Sequence, residues 1–276
     1  MRFLRSTICA AAMCFGFSGS ANADLAVQFT RDVTAATGNP GQAAVGFDGT
    51  NFWVARWDAS TSTDISRITP AGALVDTFQI AGLSGTRSLT WDGSQFWAGN
   101  ATTTIRRVDP VTKTVTATLT VPIAARYVTF DPTANSGAGG FWIGDFGSDI
   151  QQVSMAGATL ATIPAANTAT MTGRYGIAFD NTSGPSPFLW VFFQTGGPST
   201  ASLGIIDLPS GTPRPAFQNI AALTPDPASL AGGAFLASGI GMGPTLLLLA
   251  QGTPNTIVGL TPAANVPVEL TTFSVE

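Results

Sequence analysis

One phrase of about ten residues recurs along the chain, and it constrains the fold more than any other feature. VGFDGTNFWVAR at 45–56 and SLTWDGSQFWAGN at 88–100 share an aromatic residue, an Asp-Gly pair and a Phe-Trp pair at the same offsets. Looser copies follow as VTFDPTANSGAGGFWIGD at 128–145 and IAFDNTSGPSPFLWVFF at 177–193. A degenerate fifth copy at 232–252 has Leu247 where the others have tryptophan. The chain is therefore an array of similar units.

Each copy begins a unit of four short apolar segments with the composition of β-strands. The tryptophans of the first four units are spaced by 44, 45 and 48 residues, and they are Trp53, Trp97, Trp142 and Trp190. Units of four strands at this spacing are typical of the blades of a β-propeller. We therefore predict an all-β fold, a β-propeller of five four-stranded blades over residues 24–265. A degenerate sixth blade could lie in 208–231, and we find no helical periodicity or helix caps.

The phrase itself predicts a β-hairpin, in which the first aromatic residue ends the inner strand and Asp-Gly or Asp-Pro forms the turn. Phe-Trp then begins the next strand. Because alternate side chains of a strand point to opposite faces, we expect the tryptophans to pack between blades rather than to bind a ligand. LAVQFTRDV at 25–33 is predicted to be a strand that completes the fifth blade, which closes the ring and covers exposed strand edges.

Both ends of the chain carry features outside the repeat. Residues 1–23 combine Arg2 and Arg5 with an apolar run and a terminal ANA, which predicts a signal peptide and a mature chain that begins at Asp24. Cys9 and Cys14 lie in that segment, so no disulfide or thiol chemistry is expected in the mature protein. No later apolar run reaches 18 residues, so we expect no membrane span. The predicted location is secreted, periplasmic or at the cell surface.

The repeated phrases resemble those of secreted bacterial propellers with a loose G-L-A-W-D-G-x-x-L-W-V repeat. These are similar in architecture to NHL-repeat, YncE-like and virginiamycin B lyase-like proteins, and the resemblance covers residues 25–262. Separately, VPVELTTFSVE at 266–276 resembles the P-V-E-L-T-S-F phrase found after the main domain of many exported bacterial proteins. An outer strand of the last blade is the alternative for this tail. The lyase resemblance would assign catalysis to histidine, and the chain has none.

Composition excludes several classes of function. Without Arg2 and Arg5 the chain has ten basic and sixteen acidic residues, a net charge of −6, so we expect no binding to nucleic acid. The lack of histidine excludes a Ser-His-Asp triad and histidine-ligated zinc or iron. Both glutamates, Glu269 and Glu276, lie in the tail, so a glycosidase would depend on aspartates. We therefore expect no catalytic residues and a binding role.

Arginines recur at one place in the repeat, five or six residues before the aspartate of the turn. The pairs are Arg87 and Asp92, Arg126 and Asp131, and Arg174 and Asp180. Together with Arg56, these arginines are predicted to surround the mouth of the central channel, where they could bind an anion. The alternative is that each arginine packs on an aromatic side chain or pairs with an aspartate of a neighbouring blade.

Two acidic segments on the same predicted face, RWDASTSTD and GDFGSD, could hold calcium through carboxylate and carbonyl oxygens. We single out Asp145 and Asp149 as calcium ligands, with Asp58 and Asp64 nearby, and a solvated turn as the alternative. No other cofactor is expected. We predict a monomer that binds or scaffolds a protein, a glycan or a small anionic ligand. The alternatives are a propeller hydrolase or lyase that uses Arg and Asp, with or without calcium, and a structural module of a surface protein.

Overall fold

The chain folds into five antiparallel sheets arranged as a five-bladed β-propeller, so the predicted fold class is confirmed. The computed structural model describes residues 24–57, 64–194, 201–214, 218–241 and 243–262. The predicted signal peptide, the tail and Asp58 lie outside these ranges. The described part of 208–231 forms no sixth blade and instead supplies the outer edge of the fourth.

Each blade runs from an inner strand at the channel to an outer strand at the surface. The first blade contains β2 (Gln42–Phe47), β3 (Phe52–Arg56), β4 (Asp64–Ile68) and β5 (Leu74–Gln79). The second contains β6 (Ser88–Trp91), β7 (Phe96–Gly99), β8 (Thr104–Asp109) and β9 (Thr114–Thr120). The third contains β10 (Tyr127–Asp131), β11 (Gly140–Gly144), β12 (Ile150–Ser154) and β13 (Thr159–Ile163).

The last two blades have less regular outer strands. The fourth contains β14 (Arg174–Asp180), β15 (Phe188–Gln194), β16 (Ala201–Asp207) and the short β17 (Thr212–Pro213) and β18 (Gln218–Asn219). The fifth contains β19 (Ala234–Gly241), β20 (Gly243–Ala250), β21 (Thr256–Leu260) and β1 (Val27–Asp32). Each inner strand contacts the next around the channel, and β19 contacts β2, so the ring is closed.

The amino-terminal strand closes the ring as the sequence predicts. β1 pairs antiparallel with β21, with Thr30 opposite Val258. Just before β1, the backbone N–H of Leu25 donates to the side-chain oxygen of Gln218 at 3.1 Å, and the Gln218 amide donates back to the Leu25 carbonyl at 3.2 Å. The same short segment therefore completes the fifth blade and attaches it to the fourth.

Neighbouring blades pack through aromatic side chains. The Phe96 ring of the second blade lies 4.9 Å from the Trp53 ring of the first, and Phe141 of the third lies 4.9 Å from Trp97 of the second. A Cβ atom on Gly46 would stand 2.7 Å from a ring carbon of Phe96, so this inner-strand position requires glycine. These contacts form the core between the sheets, as expected for a propeller.

The expectation that helices and helix caps are absent is wrong, because the part of the chain that the structure describes contains two short α-helical segments. A five-residue helix, α1 (Val33–Thr37), follows β1, and the Asp32 carboxylate accepts its Ala35 N–H at 2.7 Å as an N-cap. A single irregular turn, α2 (Ala134–Gly137), precedes β11. Segments this short carry too little periodicity to be recognised from sequence. No helix in the described ranges is long and apolar enough to cross a membrane.

Candidate functional site

The aspartate of the repeated phrase holds the tryptophan of the same blade. In four blades, one carboxylate oxygen accepts backbone N–H groups of the turn, and the other accepts the indole N–H. The indole hydrogen bonds are 2.7 Å for Trp53–Asp48, 2.8 Å for Trp97–Asp92, 3.1 Å for Trp142–Asp131 and 2.9 Å for Trp190–Asp180. All four tryptophans are at most 4% exposed. They are placed as core residues, and none lines an open surface.

In two of the blades these hydrogen bonds lower the pKa of the aspartate. Burial alone raises the pKa of Asp180, but hydrogen bonds from the turn residues and Trp190 outweigh burial, so its pKa lies below the usual value. The pKa of Asp92 is lowered in the same way, against its own burial. Asp92 and Asp180 are therefore structural anions, and their carboxylates are occupied by hydrogen bonds within their own blades.

A cavity of about 260 Å³ opens at one end of the channel. Its walls come from the segments that enter the inner strands and from the loops between second and third strands, which is the face predicted to carry the site. We call it the arginine–aromatic cavity. It is lined by Ala43, Trp57, Arg87, Arg126, Phe146, Tyr175, Leu230, Gly232 and Gln251.

Two positions of the repeat supply most of this lining. The first lies five residues before the turn aspartate and is filled by Ala43, Arg87, Arg126 and Tyr175 in successive blades. The second lies four residues after the tryptophan position and is filled by Trp57, Phe146 and, counted from Leu247, Gln251. The blades therefore present equivalent positions to one shared space, as propellers do around their axis.

Arg87 is placed in the cavity with its charge unpaired among the described residues. Its guanidinium lies 5.3 Å from the Trp57 ring centre, and its buried Nε has no hydrogen-bond partner in the described ranges. Burial and then the charge of Arg126 lower the pKa of Arg87, and Asp145 opposes that effect. A buried guanidinium nitrogen without an acceptor is costly, and no carboxylate of the described residues pairs with this guanidinium. Because Arg87 lines the cavity, an anion there would meet its charge.

Arg126 also lines the cavity, but its charge is neutralised. It is 9% exposed, and its Nε donates to the Asp145 carboxylate at 2.5 Å. Its guanidinium stacks on the Phe146 ring at 3.7 Å and lies 5.7 Å from the Tyr175 ring. Arg126 therefore holds the Phe146 ring in place through stacking, and it is itself one of the residues that line the cavity.

Arg174 does not reach the channel mouth, in contrast to the prediction. It is completely buried, and its guanidinium donates to Tyr127 at 3.1 Å, to the Thr168 hydroxyl at 2.9 Å, to the Met171 carbonyl at 3.1 Å and to the Ser148 carbonyl. The sequence itself shows the difference, because Arg174 precedes its aspartate by six residues, whereas Arg87 and Arg126 precede theirs by five. An odd shift along a strand turns the side chain to the opposite face, so Tyr175 lines the cavity instead.

Arg56 and the proposed calcium ligands, Asp145 and Asp149, do not line the cavity. Arg56 pairs with Asp64 at 3.2 Å and is not among the residues that line the cavity. Asp145 is bound to Arg126, and a carboxylate oxygen of Asp149 accepts the Ala165 N–H at 2.8 Å. No cluster of three metal-ligating side chains occurs in the part of the chain that the structure describes. The calcium site stays a prediction, and these contacts give it no support.

The aromatic wall was missed by sequence reasoning. Seven large apolar side chains are exposed in the described ranges, and the two aromatic ones, Trp57 at 45% and Phe146 at 39%, both line this cavity. The Phe146 ring meets Tyr175 edge-on at 5.1 Å. Alignment of the repeats would have found Trp57 and Phe146, because both stand four residues after a repeat tryptophan.

A second cavity of about 180 Å³ lies where the inner strands end, at the other end of the channel. Three of its four polar side chains serve the fold: the Thr90 and Thr129 hydroxyls accept N–H groups of the neighbouring inner strands, each at 2.9 Å, and Asp48 holds its turn and Trp53. We therefore place the candidate site in the arginine–aromatic cavity. The second cavity is bordered by the aromatic ends of four inner strands, Phe47, Trp91, Phe130 and Phe179.

Fold and site together define the class, a five-bladed β-propeller with a cavity at one mouth of its channel. No protein-family model matches the sequence, and no curated protein matches it. Among solved structures the chain is similar to Myxococcus xanthus glutaminyl cyclase, with a TM-score of 0.60 and 10% sequence identity. The match covers 87% of this chain and 97% of that chain. At this identity the likeness shows a shared propeller fold alone.

Proposed function

We propose that this protein is an exported binding module whose ligand is anionic and binds in the arginine–aromatic cavity. The observation that carries the proposal is the placement of Arg87 in that cavity with a buried, unpartnered Nε. An arginine offers a planar set of donors that suits carboxylate, sulfate or phosphate oxygens. The hydrogen bonds of Arg174 give it a purely structural role. The Nε of Arg87 has no such partner among the described residues.

The charge distribution supports an anionic ligand. The sequence from Asp24 onward carries a net charge of −6, yet the charged side chains of the cavity wall are Arg87 and Arg126, with Asp145 bound to the latter. A cationic cavity on an acidic protein attracts small anions locally while the overall charge disfavours polyanions. This distribution favours a small anionic ligand over a nucleic acid.

A thermal scan of the protein against anions at low salt tests the proposal. A ligand that binds only the folded protein raises the melting temperature with its concentration. We expect carboxylates or sulfate to raise it for the wild type, and Arg87→Gln to abolish that rise. Arg214→Gln is the matched control, because Arg214 also lies over an aromatic ring, Phe188 at 5.8 Å, but on the fourth blade's outer edge. No anion-dependent rise in the wild type would reject the proposal.

The export step of this proposal depends on residues 1–23, which lie outside the described ranges. Its support is the sequence pattern alone, with two arginines, an apolar run and a terminal ANA. Amino-terminal sequencing of protein recovered from the periplasm or medium should give Asp24 as the first residue. Recovery of the intact chain from the cytoplasm would reject export without affecting the cavity.

A catalytic role is the alternative from another class, because the similar solved structure belongs to a glutaminyl cyclase. That activity is a property of the other protein. In this chain, a hydrolase or lyase would have to use Arg87 together with an aspartate. The aspartate beside the cavity, Asp145, already accepts a hydrogen bond from the Arg126 Nε. Product formation from a bound carboxylate or ester, lost in Asp145→Asn and kept in Asp149→Asn, would replace the binding role with an enzymatic one.

A further inference from the structure

We propose that the ligand of the arginine–aromatic cavity is a ring-bearing monocarboxylate, a small molecule with one carboxylate attached to a single ring. The inference rests on the proposed function and makes it more specific. Three features of the cavity carry it: the number of uncompensated charges, the exposed aromatic side chains and the size of the space.

The charge balance of the cavity fits one negative charge. Arg126 is paired with Asp145 at 2.5 Å, which leaves Arg87 as the uncompensated cation among the described lining residues. A second carboxylate on the ligand would have to compete with Asp145 for Arg126 and would lie near that acid. Electrostatics therefore favours a monoanion over citrate, phosphate or a polymer of acidic units.

The aromatic residues place a ring next to the bound charge. Arg87 lies over the Trp57 ring, so an anion that accepts from Arg87 is necessarily beside Trp57. Phe146 and Tyr175 form another part of the wall, held edge to face at 5.1 Å. Exposed tryptophan and phenylalanine side chains are unfavourable in water, and a ring that covers them gains apolar burial and stacking.

The size of the space suits a ligand with one ring. The cavity measures about 260 Å³, just below the range of about 300–1,000 Å³ that is usual for small-molecule sites. Two sources share the required chemistry, an aromatic acid and a uronic acid, since both join one carboxylate to one ring. The ring type decides between them and is left to the measurement.

Calorimetric titration with acetate, benzoate, glucuronate, phthalate and neutral benzamide tests the inference on the mature protein. Stacking on an aromatic side chain contributes about 0.5–1.5 kcal/mol, so we expect benzoate or glucuronate to bind about two- to tenfold more tightly than acetate. Phthalate should gain nothing over benzoate from its second charge. The stronger of benzoate and glucuronate identifies the source of the ring.

Variants separate the ring contact from the charge contact. Trp57→Ala and Phe146→Ala should each weaken the ring ligand about three- to tenfold and leave acetate binding unchanged. Val111→Ala, at a side chain 86% exposed on another surface, is the control. Trp57→Ala should keep the wild-type melting temperature, because Trp57 is 45% exposed. Phe146→Ala also removes contacts with Arg126 and Tyr175, so its ligand binding is compared at a temperature where the variant is fully folded.

The failures of the two proposals are distinguishable. If acetate and benzoate bind equally through Arg87, the ring inference is wrong and the anion-binding function stands. If phthalate binds more than tenfold tighter than benzoate, the single-charge argument is wrong. If benzamide binds and no carboxylate does, both the ring monocarboxylate and the anionic ligand are rejected.

Discussion

The phenol oxygen of Tyr127 accepts a hydrogen bond from the Nε of Arg174 at 3.1 Å, and neither side chain has exposed surface. Burial raises the pKa of Tyr127, so the phenol stays neutral and acts as an acceptor. The remaining guanidinium nitrogens donate to Thr168, Met171 and Ser148. Arg174 therefore joins β10, the loop after β11 and the segment before β14.

Arg174→Gln should destabilise the fold without changing the cavity directly. Several buried acceptors lose their donor, and each costs about 1–3 kcal/mol, so we expect a loss of at least about 3 kcal/mol in the free energy of unfolding. Urea unfolding measures it. Arg174→Lys should rescue little, because one ammonium cannot reach four partners in different directions. A fully stable Arg174→Gln protein that fails to bind anions would move Arg174 into the ligand site.

The two kinds of tryptophan should respond in opposite ways to alanine. Trp97→Ala removes a buried side chain between the second and third blades, and we expect a cost of about 3–5 kcal/mol. Trp57→Ala removes an exposed one and should stay within about 0.5 kcal/mol of the wild type. Denaturant midpoints compare them. Equal losses of stability would show that Trp57 is part of the core.

Asp180 should make the fold sensitive to acid. The folded-state pKa of Asp180 is lowered, whereas an unfolded aspartate titrates near about 3.9, so its contribution to stability is present above that pH. This contribution is lost as the pH falls through the folded pKa. Asp180→Asn should therefore cost about 1–3 kcal/mol at pH 7, and the difference from wild type should shrink below pH 4.

Asp24→Asn, at an exposed position, is the control for the acid experiment. As a surface substitution, it should change the unfolding free energy at pH 7 by no more than about 0.5 kcal/mol. A constant difference between Asp180→Asn and wild type from pH 7 to pH 3 would contradict the assignment of a lowered pKa to Asp180.

Closure of the ring by β1 predicts the effect of truncation. Deletion of residues 24–34 removes the partner of β21 and the Leu25–Gln218 contacts, so it should lower the melting temperature of the whole domain. Deletion of residues 266–276, outside the described ranges, should matter much less. If the two truncations destabilise the protein equally, the tail is a strand of the last blade.

Much of the fold was accessible from the sequence because the repeat encodes it directly. The phrase around Asp92 and Trp97 fixes a turn, two strands and their pairing, and its spacing fixes the blades. Side-chain direction was less accessible. Arg87 and Arg126 line the cavity, whereas Arg174, one residue out of phase with them, is buried. Trp57 and Phe146 share one position of the repeat, four residues after a tryptophan, so aligned repeats point to them. That their side chains form one wall with Tyr175 depends on which loops meet across the ring, which the repeat does not show.

The most direct measurement is a crystal structure of the mature protein with bound benzoate. We expect the benzoate carboxylate within about 2.7–2.9 Å of the Arg87 guanidinium. The benzoate ring should lie against Trp57 and Phe146, and the Arg126–Asp145 pair should stay intact. The density should be absent from Arg87→Gln crystals grown with the same ligand. Benzoate bound at another place in both proteins would contradict the proposal that Arg87 binds a ring-bearing monocarboxylate in this cavity. An empty cavity at a concentration that saturates binding in solution would contradict it as well.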